Sequence, residues 1–96
     1  MDELSNFRER IDAIDEKIVR LISERLGICK AVAVYKSEKD IPMMQPGRVK
    51  QVLERRKALA NELSINPDLI ENIYKLIVEE ACNLEDEIIN SLVKKD

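Results

Sequence analysis

Three cations and one carboxylate carry most of the chemistry this chain offers: Arg25, Lys36, Arg48 and Glu85. Arg25 and Lys36 are 11 residues apart, three turns at ~100° per residue, so on one helix they share a face and stand about 16 Å apart along its axis. Taken alone, each has a bland explanation. Long cations snorkel from the edge of an apolar stripe into water, Arg48 suits a solvated surface, and Glu85 suits a boundary position. Two cations in register are harder to dismiss, because a buried unpaired charge is costly and calls for a partner, an anionic ligand among the candidates. If the elements bearing these four residues converge, the pocket holds three cations, a carboxylate and no nucleophile. Such a pocket suits binding of a small polyanion, or a reaction accelerated by placement and electrostatics without covalent chemistry.

The elements that must position them read as helices. Phe7, Ile11, Ile14, Ile18 and Leu21 step by 4, 3, 4 and 3, one stripe of a helix running from residue 4 to about 38. Continuing the step places Arg25 and Lys36 where apolar side chains are due, with Ile28, Cys29 and Val32 between them. Asp2 or Ser5 suits its N-cap, and Glu3 and Glu9 suit the positive end of its dipole. Gly27 is a candidate for close approach by another backbone or a ligand, or a tolerated surface glycine. Such a helix is roughly 50 Å long, whereas a compact domain of this size has a radius of gyration near ~12 Å. An intertwined helical homodimer is therefore the economical expectation; a hairpin broken near Gly27 is the runner-up.

Ser37 to Gln45 reads as a loop, with Met43 and Met44 as packing residues. Pro46 opens a second helix to Leu63, with Val49, Val52, Leu53, Leu59, Ala60 and Leu63 at helical spacing and Arg48 near an N-terminus that favours anions. Asn66 and Pro67 start a third helix. Its apolar face is marked by Leu69, Ile70, Ile73, Leu76, Ile77, Ala81, Leu84, Ile88 and Leu92, and Glu85 lies on that stripe. No strand pattern or internal repeat is present. The expectation is an all-α chain of three helices, one long and two shorter, forming a single domain over residues 1–96.

Composition removes several function classes. With 16 basic against 19 acidic residues and 3% aromatic content, the chain lacks the basic field and stacking surface of a nucleic-acid binder. There is no histidine, and Cys29 and Cys82 fall within apolar helical patterns. Neither a transition-metal centre, a disulfide nor a histidine-activated nucleophile is expected, and no cofactor is implied. Met1 to Asn6 is polar and acidic, without the pattern of a signal peptide or membrane span, so the expected compartment is the cytoplasm.

The run FRERIDAIDEKIVRLISERLGICKAVAVYK, residues 7 to 36, resembles the first helix of the all-helical chorismate mutases. The proline loop followed by Arg48 and the segment LIVEEACNLEDEII, residues 76 to 89, fit the later parts of that family. The resemblance spans nearly the whole chain. It implies an interlaced homodimer with two active sites, each taking Arg8 from the partner's first helix. Arg8 and Arg25 would then engage substrate carboxylates, Arg48 would aid the cluster, and Lys36 would donate to the ether oxygen of chorismate. The implied reaction is the Claisen rearrangement of chorismate to prephenate, a step of aromatic amino-acid biosynthesis needing neither histidine nor nucleophile.

This chain departs from the family pattern in places. Gln45 stands where many members have aspartate, Val49 where they have glutamate, and Ala81 where they have serine; these positions are still expected to line the substrate site. Glu85 replaces a glutamine facing the ether oxygen, as in some fungal members. An ionised carboxylate there would repel the developing charge, so Glu85 is expected to act protonated, a form that burial favours. The altered contacts leave 4-amino-4-deoxychorismate open as an alternative substrate, and the scaffold also resembles isochorismate pyruvate lyases. A non-catalytic helical dimer is the alternative of a different class.

Overall fold

α1, Glu3–Glu38, is an unbroken helix of 36 residues. Its start is fixed by Asp2, whose Oδ1 accepts a hydrogen bond from the Ser5 N–H at 2.7 Å; this bond holds the Asp2 carboxyl below its ordinary pKa. Its end is a left-handed cap in which Asp40 takes φ 56° and the Ile41 N–H donates to the Lys36 carbonyl at 2.9 Å. Lys36 thus sits in the last turn, at the negative end of the dipole. Gly27 does not break the helix, and a Cβ built there meets nothing within 4 Å. The hairpin alternative is ruled out, and among the described residues nothing closes on Gly27.

The computed structural model describes residues 2–42 and 47–93. Met43, Met44, Gln45 and Pro46 lie outside the described residues, so the loop packing and the helix start assigned to them are not seen. α2 spans Arg48–Glu62 after Gly47 at φ 83°, a left-handed position that glycine adopts without strain. It ends in a left-handed turn: Ser64 takes φ 59°, and the Ile65 N–H reaches back to the Ala60 carbonyl at 2.8 Å. α3 spans Pro67–Val93, opened by Asn66, whose Oδ1 accepts from the Asp68 N–H at 2.9 Å.

α3 packs against both α1 and α2, whereas α1 and α2 do not pack on each other. α3 is therefore a floor, and the other two helices are walls with a gap between them. The chain is elongated, 61 × 28 × 16 Å with a radius of gyration of 17.4 Å, well above the ~12 Å of a compact domain this long. Among the described residues the buried apolar core is Ala33, Val52, Ala60 and Ala81. The stripe of α1 is bare, with Phe7 49%, Ile14 55% and Leu21 62% exposed. On α3 the apolar side chains exceed what two neighbours can cover. Ile70, Ile77, Leu84 and Ile88 are half-buried, while Leu69, Ile73 and Leu76 remain exposed, so the stripe expected to be buried is covered on one side only.

Candidate functional site

The gap between α1 and α2 over α3 is a cavity of ≈ 630 Å³, a volume suited to a small molecule. α1 contributes Arg25, Cys29, Val32 and Lys36, which recur at helical spacing on one face. α2 contributes Arg48, Val49, Val52 and Arg56; α3 contributes Ala81, Cys82, Glu85 and Asp86. Six of the expected site residues thus meet: Arg25, Lys36, Arg48, Val49, Ala81 and Glu85. Gln45 is outside the described residues. Arg8 is exposed and absent from the cavity wall; it precedes Arg25 by 17 residues, about 25 Å along the helix.

Arg25 is half-buried. Its Nη1 approaches the Cys29 Sγ at 3.9 Å, and its guanidinium carbon lies 5.9 Å from the centroid of the Tyr74 ring. Arg56 meets the same ring at 5.6 Å. Arg48 is exposed and donates to Gln51 Oε1 at 2.7 Å. Among the described residues, none of these three arginines is ion-paired. Lys36 and Glu85 are half-buried on facing helices. Four cations against two carboxylates, set among valines and Ala81, make a cationic trough with apolar walls.

Cys29 and Cys82 are free and half-buried, and both stand on the cavity wall. Burial pushes the Cys82 thiol above its ordinary pKa, and the Glu85 and Asp86 carboxylates push it further, against the opposing charge of Lys36. A thiol so shifted is a poor nucleophile. No metal-binding cluster of histidine, cysteine, aspartate and glutamate occurs among the described residues.

Arg56, Tyr74 and Asp86 were not singled out from sequence. For Arg56 a signal was present: Arg48, Val52 and Arg56 recur every four residues and share one helical face. Tyr74 and Asp86 carried none, since nothing local distinguishes them from core and surface residues.

Residues 7–86 match the family model for chorismate mutase type II. The chain belongs to the type II chorismate mutase family. Among its relatives in this family, the 4-amino-4-deoxychorismate mutase of Streptomyces pristinaespiralis is 38% identical over 90 residues, covering 94% of this chain and 70% of that protein. The chorismate mutase of Methanocaldococcus jannaschii is 29% identical over 96 residues, covering 100% of this chain and 97% of the relative. The bifunctional chorismate mutase/prephenate dehydratase of Aquifex aeolicus is 33% identical over 91 residues, 92% of this chain but 25% of that longer protein. The three-helix, strand-free architecture of the described residues fits type II chorismate mutases.

Proposed function

We propose that this type II chorismate mutase rearranges chorismate to prephenate in the α1–α2–α3 cavity. The observation that carries the reading is the meeting of Arg25, Lys36 and Arg48 with Glu85 in one apolar-walled trough. In this isomerisation the ether C–O bond breaks as a C–C bond forms to the ring, all atoms stay in the molecule, and negative character grows on the ether oxygen. Arginine forks hold the two carboxylates and select the folded conformer. Lys36 donates to the ether oxygen, and a protonated Glu85 donates from the facing helix. Val49 and Ala81 pack against the ring.

The active form is an interlaced homodimer. Support comes from the bare α1 stripe and from the distance of Arg8 from its own cavity: a second copy buries the stripe and brings Arg8 to the carboxylate end of the partner's site. The chain acts as one domain, in the cytoplasm. Among the described residues no helix is long and apolar enough to cross a membrane.

A second reading takes 4-amino-4-deoxychorismate as substrate. It is favoured by the 38% and 33% identical Streptomyces relatives that carry this activity in their names, and by Asp86 joining Glu85 on the cavity wall, where a carboxylate suits an ammonium group. An ultraviolet assay of chorismate, its 4-amino analogue and isochorismate side by side tests both readings. The first expects the highest kcat/KM on chorismate, the second on the amino analogue. Turnover of none of the three overturns both.

A further inference from the structure

The trough has two cationic ends. Arg25 and Lys36 are three turns apart on α1, and Arg48 and Arg56 are eight residues apart on α2, about 12 Å along the axis. Arg25 and Arg56 share an end, because both guanidinium groups lie over the Tyr74 ring, at 5.9 and 5.6 Å from its centroid. Lys36 and Arg48 line the same cavity about 16 and 12 Å farther along their helices from that pair, together with Glu85. The face of an aromatic ring attracts a guanidinium and fixes its plane. It cannot neutralise two of them. Arg25 and Arg56, both half-buried and with no carboxylate paired to either among the described residues, leave a doubly positive spot facing the cavity, and a carboxylate is the group that relieves it.

Resting on the dicarboxylate reading above, we propose that Arg56 is a substrate-binding residue that closes with Arg25 on the carboxylate at the Tyr74 end, and that Tyr74 is the positioning residue for both guanidinium groups. Arg56 belongs to α2 and Arg25 to α1, two helices that do not otherwise pack on each other. The shared carboxylate therefore bridges the two walls of the trough.

The test measures Arg56→Met, Arg56→Lys, Tyr74→Leu and Tyr74→Phe with chorismate and its 4-amino analogue, alongside calorimetric binding of an unreactive bicyclic dicarboxylate shaped like the folded conformer. Circular dichroism verifies helix content. For Arg56→Met the expected result is a KM and an analogue Kd raised about tenfold or more with kcat within about threefold, the pattern of lost ground-state binding. Arg56→Lys restores part of the loss. Tyr74→Leu raises KM similarly, and Tyr74→Phe, which keeps the ring face, restores it. Values for Arg56→Met within about twofold of the parent in both KM and Kd overturn the assignment; a Tyr74→Leu variant with parental KM overturns the positioning role. Should the parent turn over neither substrate, the rearrangement reading fails, and Arg56 is then judged on the analogue Kd alone. A parent that does not bind the analogue either overturns both.

Discussion

Lys57 Nζ lies 3.0 Å from Glu71 Oε2, joining α2 to α3, and Lys75 approaches the other oxygen of the same carboxylate at 3.3 Å. The hydrogen bond from Lys57, followed by that from Lys75, holds the Glu71 carboxyl below its ordinary value of 4.5. The same bond, reinforced by the charge of Glu71, holds the Lys57 ammonium above its ordinary 10.5. A depressed carboxylate stabilises the fold above its unfolded pKa and loses that contribution as pH falls through the folded value. A raised ammonium stabilises it below the unfolded pKa and loses that contribution as pH rises through the folded value. The link is therefore complete between 4.5 and 10.5. Melting curves should show Glu71→Gln less stable than the parent near neutrality, with the gap closing as the buffer is taken from about pH 6 to about pH 3. A gap that stays constant over that range contradicts the pairing.

Arg8 and Arg25 should complement each other in trans. Each proposed site combines Arg25 of one chain with Arg8 of the other, so Arg8→Ala and Arg25→Ala homodimers both lose activity. After unfolding and refolding as an equal mixture, half of the dimers are mixed and one of their two sites is intact, which restores about one quarter of parental activity. Absence of recovery, with mixed dimers demonstrated by mass spectrometry, removes the shared-site arrangement.

The bare stripe of α1 predicts its own test. Burying an isoleucine contributes about 1.5–3 kcal/mol, and Ile14 is 55% exposed in the protomer. Ile14→Glu should shift sedimentation from dimer toward monomer and abolish turnover. A dimer of unchanged mass and activity would show that this stripe is not the interface.

Lys36 and Glu85 both line the cavity, and their proposed roles should separate kinetically. Lys36→Met removes a charged donor to the ether oxygen and is expected to lower kcat by about 10²–10³-fold. The protonated role proposed for Glu85 predicts that parental kcat/KM falls as pH is raised while Glu85→Gln, an uncharged donor at every pH, stays flat. Superimposable pH profiles would rule out the protonated role.

The turn between α2 and α3 supplies a stability prediction. Asn66 Oδ1 accepts from the Asp68 N–H, and Asn66→Ala should cost about 1 kcal/mol in urea unfolding. Ser64 holds φ 59°, a conformation that costs a residue bearing a Cβ about 1–2 kcal/mol. Ser64→Gly relieves it against the greater chain entropy of glycine, so a small stabilisation is expected. A loss of stability would mean that the entropy term outweighs the strain.

What the sequence determined by itself is local. The seven-residue repeat from Phe7 to Leu21, the Asp2 and Asn66 caps and the Asn66-Pro67 start specify the helices, because periodicity and capping act within a few turns of one chain segment. Arg25, Lys36 and Glu85 were legible for the same reason: each interrupts or joins an apolar stripe. Only the tertiary structure decided that α3 is the floor and that α1 and α2 stand apart, which opens the trough. It also decided that Tyr74 meets two arginines, that Cys82 faces the cavity, and that Leu69 and Leu76 are bare. Those outcomes depend on how each helix is rotated about its axis and how far it stands from its neighbours. Both are set by packing between segments remote in sequence, to which no local pattern refers.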